Sequence, residues 1–212
     1  MTTTIIGVGN LGGTVARHLV NGGEAVALTA KDESRAQALA NELGPLARAA
    51  SVADAIDAAD TVVLAVWLDP LREVLAEHAQ RLDGKVVLDP TNPIGFENGQ
   101  MIRTLPEGVS SSSVVRALLP AGAHYVKALG SLGATQWADT ANQEPRVVLF
   151  YATDDEDAPA TAQRLIRAAG FEPMDVGGLA AVGRMEGPGG DLQGRVLDLD
   201  GARAALTTEV TT

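Results

Sequence analysis

Gly7-Val8-Gly9-Asn10-Leu11-Gly12 follows a short apolar run and opens a segment of helical character, a setting in which glycines at this spacing suit a dinucleotide. The first permits a tight turn, the second lets the backbone approach a pyrophosphate, and the third lets the helix pack closely on the strand. The helix N-terminus then turns the N–H groups of Asn10 and Leu11 toward the anion. A glycine-rich turn without a ligand and a methyltransferase loop are the competing readings. The second wants an acidic residue at the end of the next strand, where this chain has Leu28-Thr29-Ala30-Lys31.

The same position separates NAD from NADP, because a carboxylate there bonds the ribose 2′-OH and repels a 2′-phosphate. Thr29 offers a hydroxyl, Lys31 a charge, and Arg35 a second cation near the start of the following helix, so NADP(H) is the expected cofactor. Ordinary solvated charges are the plainer account of Lys31 and Arg35. Asp32 is either the cap of that helix or an inward-turned carboxylate favouring NAD.

Val66 and Trp67 end the fourth strand, at the carboxyl edge where open α/β sheets hold ligands, and are candidates for the nicotinamide side. Asp89-Pro90-Thr91-Asn92-Pro93 brings small polar groups to the same edge on a stiff turn, although Asp89 and Asn92 equally suit turn backbone. Hydride transfer needs positioning rather than a nucleophile. None of His18, His78 and His124 sits at the expected cofactor edge, so no catalytic residue is assigned. Gly130 and Ser131, after the sixth strand, are the expected substrate-side residues: Ser131 brings a hydroxyl, and Gly130 and Gly133 leave room for a planar ring.

These residues need a scaffold, and short apolar runs alternating with alanine-rich helical segments supply one. The pattern is that of an α/β Rossmann-type, doubly wound, mostly parallel sheet with helices on both faces and a small C-terminal extension. Strands are expected over 3–8, 25–29, 46–50, 61–66 and 85–88, and helices over 11–21, 33–43, 52–58 and 70–82. Ser51 is a good N-cap, as is Asp69 ahead of Pro70. A long loop rich in Pro, Gly and Asn is expected after Asp89, running to about Gly108. Beyond it come a helix over 112–119, strands over 125–129 and 146–152, a helix over 157–169 and a strand over 172–176. Past Gly177 the glycines predict turns and short elements, and the polar tail 207–212 reads as frayed. Residues 1–180 form the NADP-binding unit with its acceptor side, and 181–212 a cover or dimer contact.

The 212 residues are 46% hydrophobic, enough for a sizeable core, and carry a formal net charge of −11. That charge gives no reason to approach nucleic acid or an anionic membrane. With no cysteine and three histidines, thiolate chemistry is excluded and a conventional zinc site is not expected. No apolar run reaches the roughly 18 residues of a membrane span, and the chain passes straight into Ile5-Ile6-Gly7 without a leader pattern, so a cytoplasmic protein is expected.

Ile6 to Gly12, Gly84-Lys85-Val86-Val87-Leu88-Asp89-Pro90-Thr91-Asn92-Pro93, Val126-Lys127-Ala128-Leu129-Gly130-Ser131 and Gly170-Phe171-Glu172-Pro173 together give a pattern that resembles the NADPH-dependent reductases of the deazaflavin coenzyme F420, and relatives sharing their NADP-binding domain such as pyrroline-5-carboxylate reductases. The resemblance implies that Val8 to Leu11 hold pyrophosphate, that Thr29 and the basic residues after it hold the 2′-phosphate, and that Val66, Trp67 and Asn92 flank the nicotinamide. It also implies a small redox acceptor and a homodimer. The chain departs from the family after its second strand, at Leu129-Gly130, and at Gly187-Pro188-Gly189-Gly190, where members carry an apolar helix. The expected function is hydride transfer between NADP(H) and a flavin-like acceptor such as F420, with a small carbonyl or imine, or a noncatalytic NADP sensor, as the alternatives.

Overall fold

A computed structural model describes residues 2–207. The first half alternates strand and helix: β1 (Thr3–Ile6), α1 (Asn10–Asn21), β2 (Val26–Thr29), α2 (Glu33–Leu43), β3 (Ala47–Ala49), α3 (Val52–Asp57), β4 (Thr61–Leu64), α4 (Leu68–His78) and β5 (Val86–Asp89). Next come a hairpin of β6 (Ile94–Glu97) and β7 (Gln100–Arg103), then α5 (Ser111–Leu118), β8 (His124–Ala128), α6 (Ala134–Thr140), β9 (Val148–Ala152), α7 (Pro159–Ala168), β10 (Glu172–Asp175) and α8 (Leu199–Thr207). Thr207 closes α8; the rest of the expected frayed tail lies outside the described residues.

The eight-stranded sheet has the order β10-β9-β8-β5-β4-β1-β2-β3, and every pairing in it is parallel except β8 with β9. The doubly wound reading is correct. From β1 the chain builds outward through β2 and β3, then returns to lay β4 on the other side of β1. The carboxyl ends of β1 and β4 therefore diverge into a crevice.

Both faces of the sheet are buried, and strict alternation along the strands shows how. Ile5, Val63, Leu88, Val126 and Leu149 join a core with α1, α2, α6 and α7, while Ile6, Val62, Leu64, Val87 and Tyr125 join one with α3, α4 and α5. A third cluster sets Val182, Met185, Leu192, Ala202 and Ala205 against Val148, Phe150 and Ala152. Val182, Met185, Leu192, Ala202 and Ala205 thus pack on β9.

Three expectations need correction. The stretch 89–108 is no plain loop: β6 and β7 pair antiparallel, Glu97 against Gln100, across Asn98 (φ +50) and Gly99 (φ +80). That two-residue Asn-Gly turn matches the twist of a hairpin. Helix α4 starts at Leu68 with Trp67 as its N-cap and no capping side chain, so Asp69 is not the cap; Pro70 falls in the first turn, where its missing N–H costs nothing. Helix α6, between β8 and β9, went unread, and the nine-residue α8 lies where only turns and short elements were expected.

Candidate cofactor site

A cleft of about 700 Å³ opens over the crevice at the ends of β1 and β4. Gly7, Val8, Gly9, Asn10, Leu11, Ala30, Lys31, Arg35, Val66, Trp67, Asn92 and Gly130 all contribute to its lining. Most of the residues singled out from the sequence are therefore brought together.

The three glycines answer to different constraints. Gly7 sits at φ +96, and a Cβ there would lie 2.5 Å from the Ala65 carbonyl oxygen. A Cβ on Gly12 would lie 2.0 Å from the Gly7 carbonyl oxygen, so this glycine sets how closely α1 packs on the turn. Gly9, which lines the cleft, has open space where its Cβ would stand. Helix α1 begins behind Gly9 without a capping side chain or an acidic residue in its first turn, whereas α2, α3 and α5 are capped by Asp32, Ser51 and Ser110. The first N–H groups of α1 are left for an anion.

At the β2 end, Lys31 and Arg35 are exposed and line the cleft. Asp32 is withdrawn: its Oδ1 accepts from the Ser34 amide (3.1 Å) and Ser34 hydroxyl (2.6 Å), and these bonds hold its carboxyl below the usual range. Thr29 departs from expectation. It is 1% exposed, its hydroxyl is enclosed without a partner, and it is absent from the lining, because as the last residue of a fully buried strand it turns into the core. Gly12 is likewise structural, held under the turn.

On the other side, Asn92 is a tie between chain segments. Its Nδ2 donates to the Gly130 carbonyl (3.0 Å) and its Oδ1 accepts from the Gly187 amide (2.7 Å). Gly130 lines the cleft with backbone, but its missing side chain makes way for protein: a Cβ would lie 2.2 Å from the Pro90 carbonyl oxygen. Ser131 does not reach the cleft. It is 1% exposed, and its hydroxyl turns inward to the Phe150 amide at 3.4 Å. Leu129 just before it adopts φ +69, which breaks the strand's alternation and swings Ser131 toward β9.

Beneath this wall lies a buried polar cluster that the sequence reading missed. Lys127 Nζ lies 3.3 Å from Asp89 Oδ2 and 3.1 Å from Glu186 Oε1, and donates to Ser111 Oγ (2.7 Å) and the Thr91 carbonyl. Tyr125 donates to Asp89 Oδ2 at 2.6 Å; burial, helped by that carboxylate, pushes its phenol well above the ordinary range. Glu186 accepts from the Ser111 and Ser112 amides at 2.9 and 3.0 Å, supplying the anion that α5 lacks in its own first turn. A lysine inside the apolar run Tyr125-Val126-Lys127-Ala128 was the available signal, since a buried ammonium demands partners.

Residues 2–93 match the family described as NADP oxidoreductase, coenzyme F420-dependent. Over that stretch, less than half of its length, the chain is similar to this family. A hypothetical protein of Sinorhizobium meliloti is 29% identical, with a TM-score of 0.82 over 93% of this chain and 95% of its own. A candidate F420-dependent NADP-reductase of Arthrobacter sp. FB24 shares the fold, with 24% identity and a TM-score of 0.73 over 86% of this chain and 87% of its own. The metalloreductase STEAP3 of Rattus norvegicus is 28% identical over 184 residues, 86% of this chain and 35% of that protein, so the chain spans about a third of its length.

The residues present fit the family's NADP(H): an uncapped helix N-terminus behind Gly9 for the pyrophosphate, Lys31 and Arg35 for a 2′-phosphate, and Val66, Trp67 and Asn92 along the edge where the nicotinamide belongs. No helix among the described residues is long and apolar enough to cross a membrane.

Proposed function

We propose that this chain is an NADPH-dependent oxidoreductase that passes hydride between NADP(H) and a flavin-like acceptor such as coenzyme F420, held between the Trp67–Asn92 edge and Gly130. The observation that carries this reading is the pairing of the bare α1 N-terminus with a β2 end where Lys31 and Arg35 face the cleft and Asp32 is engaged by Ser34. A 2′-phosphate would meet two cations in that lining, from which Asp32 is absent.

The choice of acceptor follows from the lining. Among the described residues that form it, Lys31 and Arg35 alone are ionisable, and both lie at the far end from Asn92 and Gly130. Reduction of a carbonyl or imine calls for a proton donor at the reacting atom. A conjugated ring spreads the incoming charge and draws its proton from water, so it suits a cleft without an acid.

The test is NADPH oxidation against a panel of F420, flavins, quinones and small imines. Turnover with a conjugated ring is expected. Turnover with imines alone overturns the acceptor class, and tight NADP binding with no turnover makes the chain a sensor. A cytoplasmic homodimer belongs to the same proposal, and light scattering checks the second half of it.

A further inference from the structure

The chain has two Trp, two Tyr and three Phe. Trp137, Tyr125, Tyr151, Phe150 and Phe171 are buried, but Trp67 and Phe96 are 57% and 62% exposed. Those two stand together. Their centroids are 6.3 Å apart with the ring planes at 90°, and both line the cleft that holds the dinucleotide loop. An edge-to-face pair leaves an apolar corner with one ring face free, a shape that receives a flat molecule.

The backbone under this corner is firmly held. Ile94 and Phe96 share one face of β6 by the two-residue period and both line the cleft; Met101, opposite Phe96 in register, extends the face and is 52% exposed. The Asn98-Gly99 turn closes the hairpin, the Thr104 amide donates to the Pro93 carbonyl at 2.8 Å, and Arg103 Nη2 donates to the Val109 carbonyl at 2.7 Å. Trp67 caps α4, its carbonyl accepting from the Leu71 amide at 2.9 Å, so its backbone is fixed at the end of β4.

We propose that Trp67 and Phe96 form the platform for the uncharged face of a planar conjugated acceptor, and that the β6–β7 hairpin is the element that selects it. This inference rests on the reading of the chain as an NADPH-dependent oxidoreductase. When bound, NADPH supplies a hydride from its nicotinamide C4 and leaves as NADP+; the acceptor gains that hydrogen with both electrons of the broken C–H bond, and water supplies the balancing proton. The hairpin contributes contact area beside the nicotinamide edge and keeps water from that side. Continuity of the aromatic corner with the cofactor cleft favours a small ring over a second copy of the chain.

The two tryptophans allow a direct test, because Trp137 is fully buried and Trp67 is exposed. Riboflavin and F420 are titrated into the NADP+-bound protein while tryptophan emission is followed, corrected for absorption. Quenching is expected in the wild type and lost in Trp67→Phe. Phe96→Ala should weaken ring binding at least fivefold and raise the acceptor KM by a similar factor, with NADP+ affinity within twofold by calorimetry. No quenching by either ring, or unchanged ring affinity and KM in Phe96→Ala, overturns the inference while leaving the cofactor assignment intact. A Phe96→Glu variant that turns a dimer into monomers with an unaltered acceptor KM also overturns it. Failure of the wild type to bind NADP+ removes the underlying reading as well.

Discussion

Lys127 Nζ lies 3.1 Å from Glu186 Oε1, with both side chains 2% exposed. The contact joins the carboxyl end of β8 to the glycine-rich segment near the C-terminus. It also places the next residue, Gly187, where its amide donates to Asn92 at the cleft edge. A buried charge pair and a cleft wall are thus linked through two consecutive residues.

Removing one partner of a buried pair leaves the other charge without compensation, a loss of about 3 kcal/mol or more. Glu186→Ala should therefore lower the urea midpoint by that equivalent at constant m value. Lys127→Met should do the same through the Asp89 and Glu186 carboxylates it strands. A change below about 1 kcal/mol in both would show that the cluster adds little to stability.

Gly9 and Gly12 should respond in opposite ways to a side chain. Gly9 lies at φ −71 with open space around a Cβ, so Gly9→Val should fold with stability near wild type and lose both NADP and NAD. Gly12→Ala drives a methyl into the Gly7 carbonyl and should cost about 1–3 kcal/mol in thermal unfolding. Retained cofactor binding in Gly9→Val would remove the pyrophosphate assignment.

Cofactor choice should follow the cations at the β2 end. Lys31→Ala and Arg35→Ala should each weaken NADP by about 1–2 kcal/mol, the scale of a charge-assisted hydrogen bond, and leave NAD nearly unchanged. Calorimetric titration of both dinucleotides decides it, and equal losses for the two would sink the 2′-phosphate role.

Asp191 gives a pH dependence with a definite sign. The Arg184 guanidinium, bonded to it at 2.7 and 3.1 Å, holds its carboxyl below the usual range despite partial burial. A depressed folded pKa stabilises above the unfolded value near about 3.9, and the benefit is lost as pH falls through the folded value. Asp191 is 35% exposed, so solvent screens the pair, and Asp191→Asn should cost about 0.5–1 kcal/mol at neutral pH. The gap between variant and wild type should close as pH falls through and below that folded value; a gap that persists there would mean the loss is one of packing.

The sequence by itself determined the parallel sheet, the helices on its two faces and the glycine-rich turn between β1 and α1. Each of these is a local property: the period of apolar residues sets strand or helix, and Gly7, Gly9 and Gly12 answer to backbone geometry within a few residues. It also held the hairpin signal in Asn98-Gly99, which the surrounding Pro and Gly disguised as loop. Tertiary structure alone decided which way side chains turn at the strand ends. Thr29 turned into the core, Leu129 at φ +69 swung Ser131 inward, and Gly130 made room for Pro90 rather than for a ligand. It alone decided the Lys127–Asp89–Glu186 cluster too, because a buried charge must find its partners across the fold, and no local pattern records how distant segments meet.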